Sequence, residues 1–256
     1  MAIIGKLTFT VITCSKDLAL LERYLASVHM YFNPAELEEI IIVFNDEYRY
    51  LPEFKSCLAK FSALPIRQLW SNEIWPEQNL YNWQSQQQLK LLVSELVKTE
   101  WYIINDSKDF YYATVSYSDF ISDSGQSLLY LRVIDFRDQW FGPASHHRSQ
   151  YEYAYDLLGL RFSDYKIALR TQTASVCPCH TQTIQELTQY LRNKLATIFP
   201  WLLLLQINYK AMYTEYALIS AWLQKHDLLL QQYSPTITTA GFHDKVACNK
   251  DLRKGT

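Results

Sequence analysis

The chain has 256 residues, enough for one large domain or two small ones, and 49% of them are apolar, so a sizeable core can form. Its 24 basic and 26 acidic residues leave a formal net charge of −2 and are well mixed, which excludes the basic stripe of a dedicated nucleic-acid binder. Aromatic content is high, and such rings suit stacking on sugars and bases as well as ordinary cores.

In chain order, Leu7 to Cys14 is a continuous apolar and β-branched run and predicts a buried strand. Ser15 and Asp17 then stand where a helix cap is expected. The helix they precede runs to about Phe32, with Leu18, Leu21, Leu25 and Val28 on one apolar face, and Asn33-Pro34 ends it. Glu39 to Phe44 reads as a second buried strand, closed by Asn45-Asp46. A short helix follows Pro52, and Ile66 to Trp70 reads as a third strand. A long helix is expected from Asn79 to Lys98, then a fourth strand at Trp101 to Ile104 that ends in Asn105-Asp106-Ser107-Lys108-Asp109. Continuous apolar strands alternating with helices predict an α/β fold with a mostly parallel sheet covered on both faces.

The second half is less regular. Leu128 to Phe136 reads as a strand, Tyr151 to Leu158 as a helix stopped by Gly159, Thr181 to Ile198 as a helix ended by Pro200, and Tyr213 to Lys225 as another helix. The tail after Pro235 is polar. With no internal repeat or Pro/Gly linker, one integrated domain over residues 1–256 is expected.

The N-terminus has no basic stretch followed by an apolar run, so no secretion signal is expected. The most apolar run, Trp201 to Ile207, falls far short of the ~20 residues that cross a bilayer. Cys14, Cys57, Cys177, Cys179 and Cys248 are odd in number and irregular in spacing, which predicts reduced thiols in a soluble, cytoplasmic chain. Cys177-Pro178-Cys179-His180 has metal-ligand residue types, but nothing nearby completes a tetrahedral set.

In open α/β sheets, ligands sit beyond the carboxyl ends of the strands. That rule directs attention to Thr13 to Asp17, to Asn45-Asp46 and to Asp106 to Asp109, each polar and each following an apolar strand. Taken singly, each is also an ordinary cap or turn; together they form a candidate crevice. The first opens a helix N-terminus, which suits phosphate. The last puts two carboxylates and an ammonium on one tight segment. A nucleoside diphosphate can be held by a divalent cation on such carboxylates, or directly by the lysine. The helix before it carries Asn82 to Lys90, rich in amides, with Gln86 and Lys90 on one face. GxxxxGK[ST], GxGxxG and GxSxG are all absent.

Thr8-Phe-Thr-Val-Ile-Thr-Cys-Ser-Lys-Asp17 and Glu39-Ile-Ile-Ile-Val-Phe-Asn-Asp46 resemble the first two strand ends of GT-A glycosyltransferases. Trp83, Gln86-Gln87 and Lys90, followed by Trp101 to Phe110, resemble a GT-A-like family of bacteria and their viruses, with its W-x-x-Q-Q-x-x-K helix and a strand ending in D-x-D or D-S-K-N. Ser175-Val176-Cys177-Pro178 and Thr214-Glu215-Tyr216-Ala217-Leu218 resemble that family's acceptor-side elements. The resemblance spans roughly residues 7 to 225. It implies a GT-A-like domain with a nucleotide-binding half, 1–110, and an acceptor-side half, 111–256. It implies transfer of a sugar from a nucleotide-sugar donor, with UDP the expected nucleotide, to a carbohydrate or glycoconjugate acceptor. Thr13 and Asp46 would then hold the nucleoside, with Gln87 and Lys90 supporting the crevice. Asp106, Lys108 and Asp109 would handle the diphosphate and any cation, and Glu215 would face the acceptor, as a general base or as a ligand of the acceptor hydroxyl. Glu215 and Asp109 are thus the expected catalytic carboxylates. The resemblance also implies Mn²⁺ or Mg²⁺ on Asp106, Asp109 and a C-terminal histidine, His243, with His146-His147 as a second choice. One departure stands out: Lys108 occupies the last position of D-x-D, so either Asp109 substitutes or Lys108 partly replaces the cation.

Two other classes fit less fully. A GT-A-like module without turnover would bind a nucleotide or glycan only, and a degraded D-x-D suits it. A nucleotidyltransferase has a similar sheet, but it usually carries a Gly-rich basic loop after the first strand, which Lys16 alone does not supply.

Overall fold

The computed structural model describes residues 3–76, 83–128, 131–137, 141–142, 145–169, 176–194, 214–234 and 245–248. Its first half alternates strand and helix: β1 (Ile3–Thr13), α1 (Leu18–Tyr31), β2 (Leu37–Phe44), α2 (Leu51–Ala59), β3 (Ile66–Trp70), the single turn α3 (Ser71–Ile74), α4 (Trp83–Leu92) and β4 (Thr99–Asp106). Then come β5 (Asp109–Tyr111), β6 (Leu131–Val133), α5 (His146–Leu157), β7 (Ile167–Leu169), β8 (Cys177–His180), α6 (Thr181–Lys194), α7 (Glu215–Lys225), the short α8 (Leu229–Gln232) and β9 (Val246–Cys248).

Five strands form the main sheet in the order β3-β2-β1-β4-β8. The first four are parallel, and β8 joins the edge of β4 antiparallel. The α/β, mostly parallel expectation holds. Side chains alternate across each strand and feed two cores. Phe9 and Val11 of β1, Ile40, Ile42 and Phe44 of β2, and Trp101 and Ile103 of β4 pack under Leu21, Tyr24, Leu25 and Val28 of α1 and Phe54 of α2. Ile41 and Val43, with Tyr102 and Ile104, face Leu89 of α4, Ile184 and Leu187 of α6, and Leu218 and Leu223 of α7. Each such side chain buried is worth about 1.5–3 kcal/mol. On this second face β1 alternates polar: the Thr99 hydroxyl donates to Thr8 Oγ1 at 2.9 Å, and the Thr10 hydroxyl donates to the Ile103 carbonyl at 3.2 Å.

Several boundaries differ from the sequence reading. The helix expected to end at Lys98 stops at Leu92, tightens into a 3₁₀ turn over Val93–Leu96, and β4 is already under way at Thr99. Its amide-rich surface is not solvated: Ser85, Gln87, Gln88 and Lys90 are all buried. Asp17 occupies the α1 N-cap without a side-chain cap bond, and the Ser15 hydroxyl goes to Asp46 instead. The Cys-Pro-Cys-His segment is strand β8, with Pro178 opposite Ile103. An edge strand tolerates the missing proline N–H. Gly159 stops α5 as expected, at φ +76°, with its N–H on the Asp156 carbonyl and that of Leu160 on Tyr155. Helix α5 starts five residues earlier than periodicity suggested, at His146, over a polar turn laced by an Arg148–Glu152 pair. The apolar run at 201–207 and the tail after 234, apart from 245–248, lie outside the described residues. Among the described residues no helix is long and apolar enough to cross a membrane.

Candidate functional site

The strand order puts β2 on one side of β1 and β4 on the other. The chain leaving β1 runs by way of α1 to β2, whereas the chain leaving β4 runs on into β5 and the second half, so the carboxyl ends of these two strands are the edge where the rule for open α/β sheets places a ligand. Thr13 closes β1 beside Phe44 of β2, and Asp106 closes β4 beside Ile12 of β1. All three polar strand ends singled out in the sequence reach this one edge.

Asp46 ties two of them together. Its Oδ2 accepts the Ser15 N–H at 2.9 Å and also the Ser15 hydroxyl, and its Oδ1 accepts the Glu47 N–H at 2.8 Å. Partial burial pushes the Asp46 carboxyl up, but these Ser15 and Glu47 bonds outweigh it and hold the group below the usual carboxylate range. Beside it, the Thr13 carbonyl accepts the Asn45 N–H at 2.7 Å. The Thr13 hydroxyl is fully buried and has no hydrogen-bond partner among the described residues. Asn45 reaches across to α4, its Nδ2 donating to Ser85 Oγ at 3.0 Å.

The end of β4 carries a chain of alternating charges. Lys90 Nζ lies 2.8 Å from Asp106 Oδ1 and 2.8 Å from Glu215 Oε1, and Lys108 Nζ lies 2.5 Å from Asp106 Oδ2. The Asp109 carboxylate turns back to accept the Asp106 N–H at 3.0 Å, which fixes the Ser107-Lys108 turn. Tyr102 donates to the Lys90 carbonyl at 3.3 Å, and the Tyr216 ring lies 5.6 Å from the Lys90 ammonium. Burial disfavours both charged forms. For Asp106 the two ammoniums more than offset this and hold the carboxyl far below its ordinary range. For Lys90 the two carboxylates likewise win and raise its pKa. Glu215 opens α7 behind the Thr214 cap, and it is fully buried. There burial dominates: the carboxyl is raised above its ordinary value even though Lys90 pulls it back. Its Oε2 has no hydrogen-bond partner among the described residues.

Of the residues expected to form the site, Lys90, Asp106, Lys108 and Glu215 meet in this one chain, and Asp109 stands against its backbone. Thr13 and Asp46 sit at the neighbouring strand ends. Gln87 is buried in α4, and its amide donates to the Trp83 carbonyl at 3.4 Å. His243 lies outside the described residues.

The model of the DUF6492 family, described as a family of unknown function, matches residues 7–251. The chain belongs to that family. No curated protein matches it. Among solved structures, S. aureus TarS is similar at 17% identity over 43% of this chain and 18% of its own, with a TM-score of 0.31. GalNAc-T7 with UDP, GalNAc and Mn²⁺ is similar at 13% identity over 46% of this chain and 20% of its own, with a TM-score of 0.37. The chain thus matches a fifth or less of either protein's length, and its fold rests on its own strand order.

Whether this DUF6492 member's carboxylates suit a divalent ion is decided by their partners. Both Asp106 oxygens face ammoniums, and the Asp109 oxygen Oδ2 faces an amide N–H. A dication on Asp106 would lie close to two like charges, and even two unit charges 4 Å apart cost about 4 kcal/mol near a protein surface. Among the described residues no group of three or more His, Cys, Asp and Glu could hold a metal. Among the described residues, the set as folded fits ammonium better than Mn²⁺ or Mg²⁺. Among the described residues the Cys-Pro-Cys-His strand gives no metal set either: Cys177 and Cys179 are free thiols with sulfurs 4.0 Å apart, and His180 Nδ1 bonds Thr183 Oγ1 at 2.9 Å. The sequence reading missed the Ser15–Asp46 and Asn45–Ser85 pairs. Both join a strand end to a distant segment, and a capping pattern at Ser15 concealed the first.

Proposed function

We propose that this chain is a glycosyltransferase that takes a sugar from a nucleotide-sugar donor, with UDP the first nucleotide to test. The observation that carries the reading is the gathering of Thr13, Asp46 and Asp106, with an ammonium on Asp106, at the sheet edge where the strand order reverses. The motif resemblance to GT-A glycosyltransferases supports it. In such a transfer the acceptor oxygen bonds the anomeric carbon as the bond to the diphosphate breaks, and charge builds on the leaving diphosphate. Fixed positive charge aimed there stabilises the transition state. In this assignment Asp46 and Thr13 meet the nucleoside, Lys108 meets the diphosphate, and Glu215 acts through Lys90.

A thermal-shift screen of UDP-, GDP- and CMP-sugars tests the reading. A donor at ~100 times its Kd stabilises the fold by about 2.7 kcal/mol. No shift with any of them sinks it. One observation favours a second reading, a donor-binding module without turnover: Glu215, the expected acceptor-side base, is fully buried against Lys90. Donor binding without any hydrolysis or transfer would select that reading.

A further inference from the structure

The charge chain at the end of β4 runs outward from the interior, from Glu215 through Lys90 and Asp106 to the Lys108 ammonium. Side-chain exposure rises along it, from 0% at Glu215 to 5% at Lys90, 21% at Asp106 and 24% at Lys108. The signs alternate along it, and its most exposed member is the Lys108 ammonium. The remaining carboxylate, Asp109, is buried and turned onto the Asp106 amide. That bond fixes the turn from which Lys108 projects, so the ammonium is held by Asp106 on a fixed backbone. A lysine held this way is a point charge suited to phosphate oxygens. In the D-x-D pattern its position belongs to a metal-binding carboxylate, and the carboxylate that remains, Asp106, is already matched by two ammoniums.

We propose that Lys108 binds the donor's diphosphate directly, in place of a divalent cation, with Asp106, Lys90 and Glu215 as the buried support that positions it. This rests on the reading of the chain as a nucleotide-sugar enzyme. It makes donor binding insensitive to chelators, and it makes Lys108 the residue on which diphosphate affinity depends.

Calorimetric titration of the full chain with UDP, GDP and their sugars, in excess EDTA and again with Mn²⁺, tests it. The expected result is a nucleotide that binds in EDTA with a Kd within about twofold of its value in Mn²⁺. Lys108→Ala should then raise that Kd by about tenfold or more in EDTA. Lys108→Asp, which restores a carboxylate two positions after Asp106, should make binding depend on Mn²⁺. Circular dichroism establishes that each variant is folded, and Lys108→Met replaces any that is not. Wild-type binding that disappears in EDTA and returns with Mn²⁺ overturns the proposal while leaving the nucleotide-sugar reading in place. So does a folded Lys108→Ala variant with unchanged affinity. Absence of binding by every nucleotide in both buffers overturns both.

Discussion

Lys90 Nζ stands 2.8 Å from Asp106 Oδ1 and 2.8 Å from Glu215 Oε1, so a single ammonium joins α4, the end of β4 and the start of α7. Its side chain is 5% exposed, too deep for solvent to screen the pairs. Removing one member of such a group leaves buried charge without compensation, at about 3–5 kcal/mol. Lys90→Met keeps the apolar bulk and should therefore lower the melting temperature by on the order of 10 °C. Because the carboxylates are then what suffers, the double variant Lys90→Met with Glu215→Gln should lose less than the sum of the singles, by about 1 kcal/mol or more. Strict additivity in calorimetry would show that the two residues do not share an interaction.

Glu215→Gln separates burial from pairing by its pH dependence. Burial raises the folded carboxyl above its ordinary value near 4.5, with Lys90 opposing. The folded state then holds the proton more tightly than the unfolded one. Glu215 thus contributes its full stability below its unfolded pKa, and that contribution is lost as pH rises through the folded value. Glutamine cannot titrate. The melting temperature of the wild type relative to the variant should be most favourable below about pH 4.5 and should fall as pH rises. A gap that widens with pH would mean that the Lys90 pair outweighs burial.

The strand pattern was legible because a parallel sheet buried on both faces writes itself as continuous apolar runs, as in Leu7 to Thr13 and Glu39 to Phe44. Where burial is not apolar the signal fails. The stretch Ser85 to Lys90, buried at all but Gln86, reads as a polar surface because its polar groups find partners inside the fold, Ser85 with Asn45 and Lys90 with Glu215, the latter 125 residues away. β8 was hidden because Cys177 to His180 suggests metal chemistry and carries a proline, which only an edge strand accepts. The candidate site was legible as three strand ends, which the parallel order of β2, β1 and β4 brings to one edge. Its connections were not, because Asp46 could equally turn the chain and Ser15 could equally cap a helix. Only the fold shows them bonded to each other.

That Ser15–Asp46 bond leads to a third prediction. Asp46 is only partly buried, so Asp46→Ala should cost about 1 kcal/mol or less in stability. If Asp46 holds the nucleoside as proposed, the same change should weaken nucleotide binding by about tenfold. Ser15→Ala removes only the hydroxyl, leaves the Ser15 amide on the carboxylate and should weaken binding less. Titration of both variants checks the order; equal affinity in wild type and Asp46→Ala removes Asp46 from the site.

Thr13 offers a test in which stability and binding move in opposite directions. Its hydroxyl sits at the end of β1, fully buried, with no partner among the described residues. An unsatisfied buried hydroxyl costs about 1–3 kcal/mol, whereas a methyl in the same place costs nothing of that kind. Thr13→Val keeps the β-branched shape that the strand favours and changes only the polar atom. The ligand-free variant should therefore melt higher than the wild type, by about 2–4 °C for each kcal/mol recovered. If the hydroxyl is kept because a nucleotide bonds to it, the variant should also bind that nucleotide more weakly, since the ligand then meets a methyl where it had a hydrogen-bond partner. Melting curves without ligand and titrations with UDP read the two effects separately. A higher melting temperature with unchanged affinity would make Thr13 a cost of the fold unconnected with the site. A lower melting temperature would show that the hydroxyl has a partner in the folded protein after all.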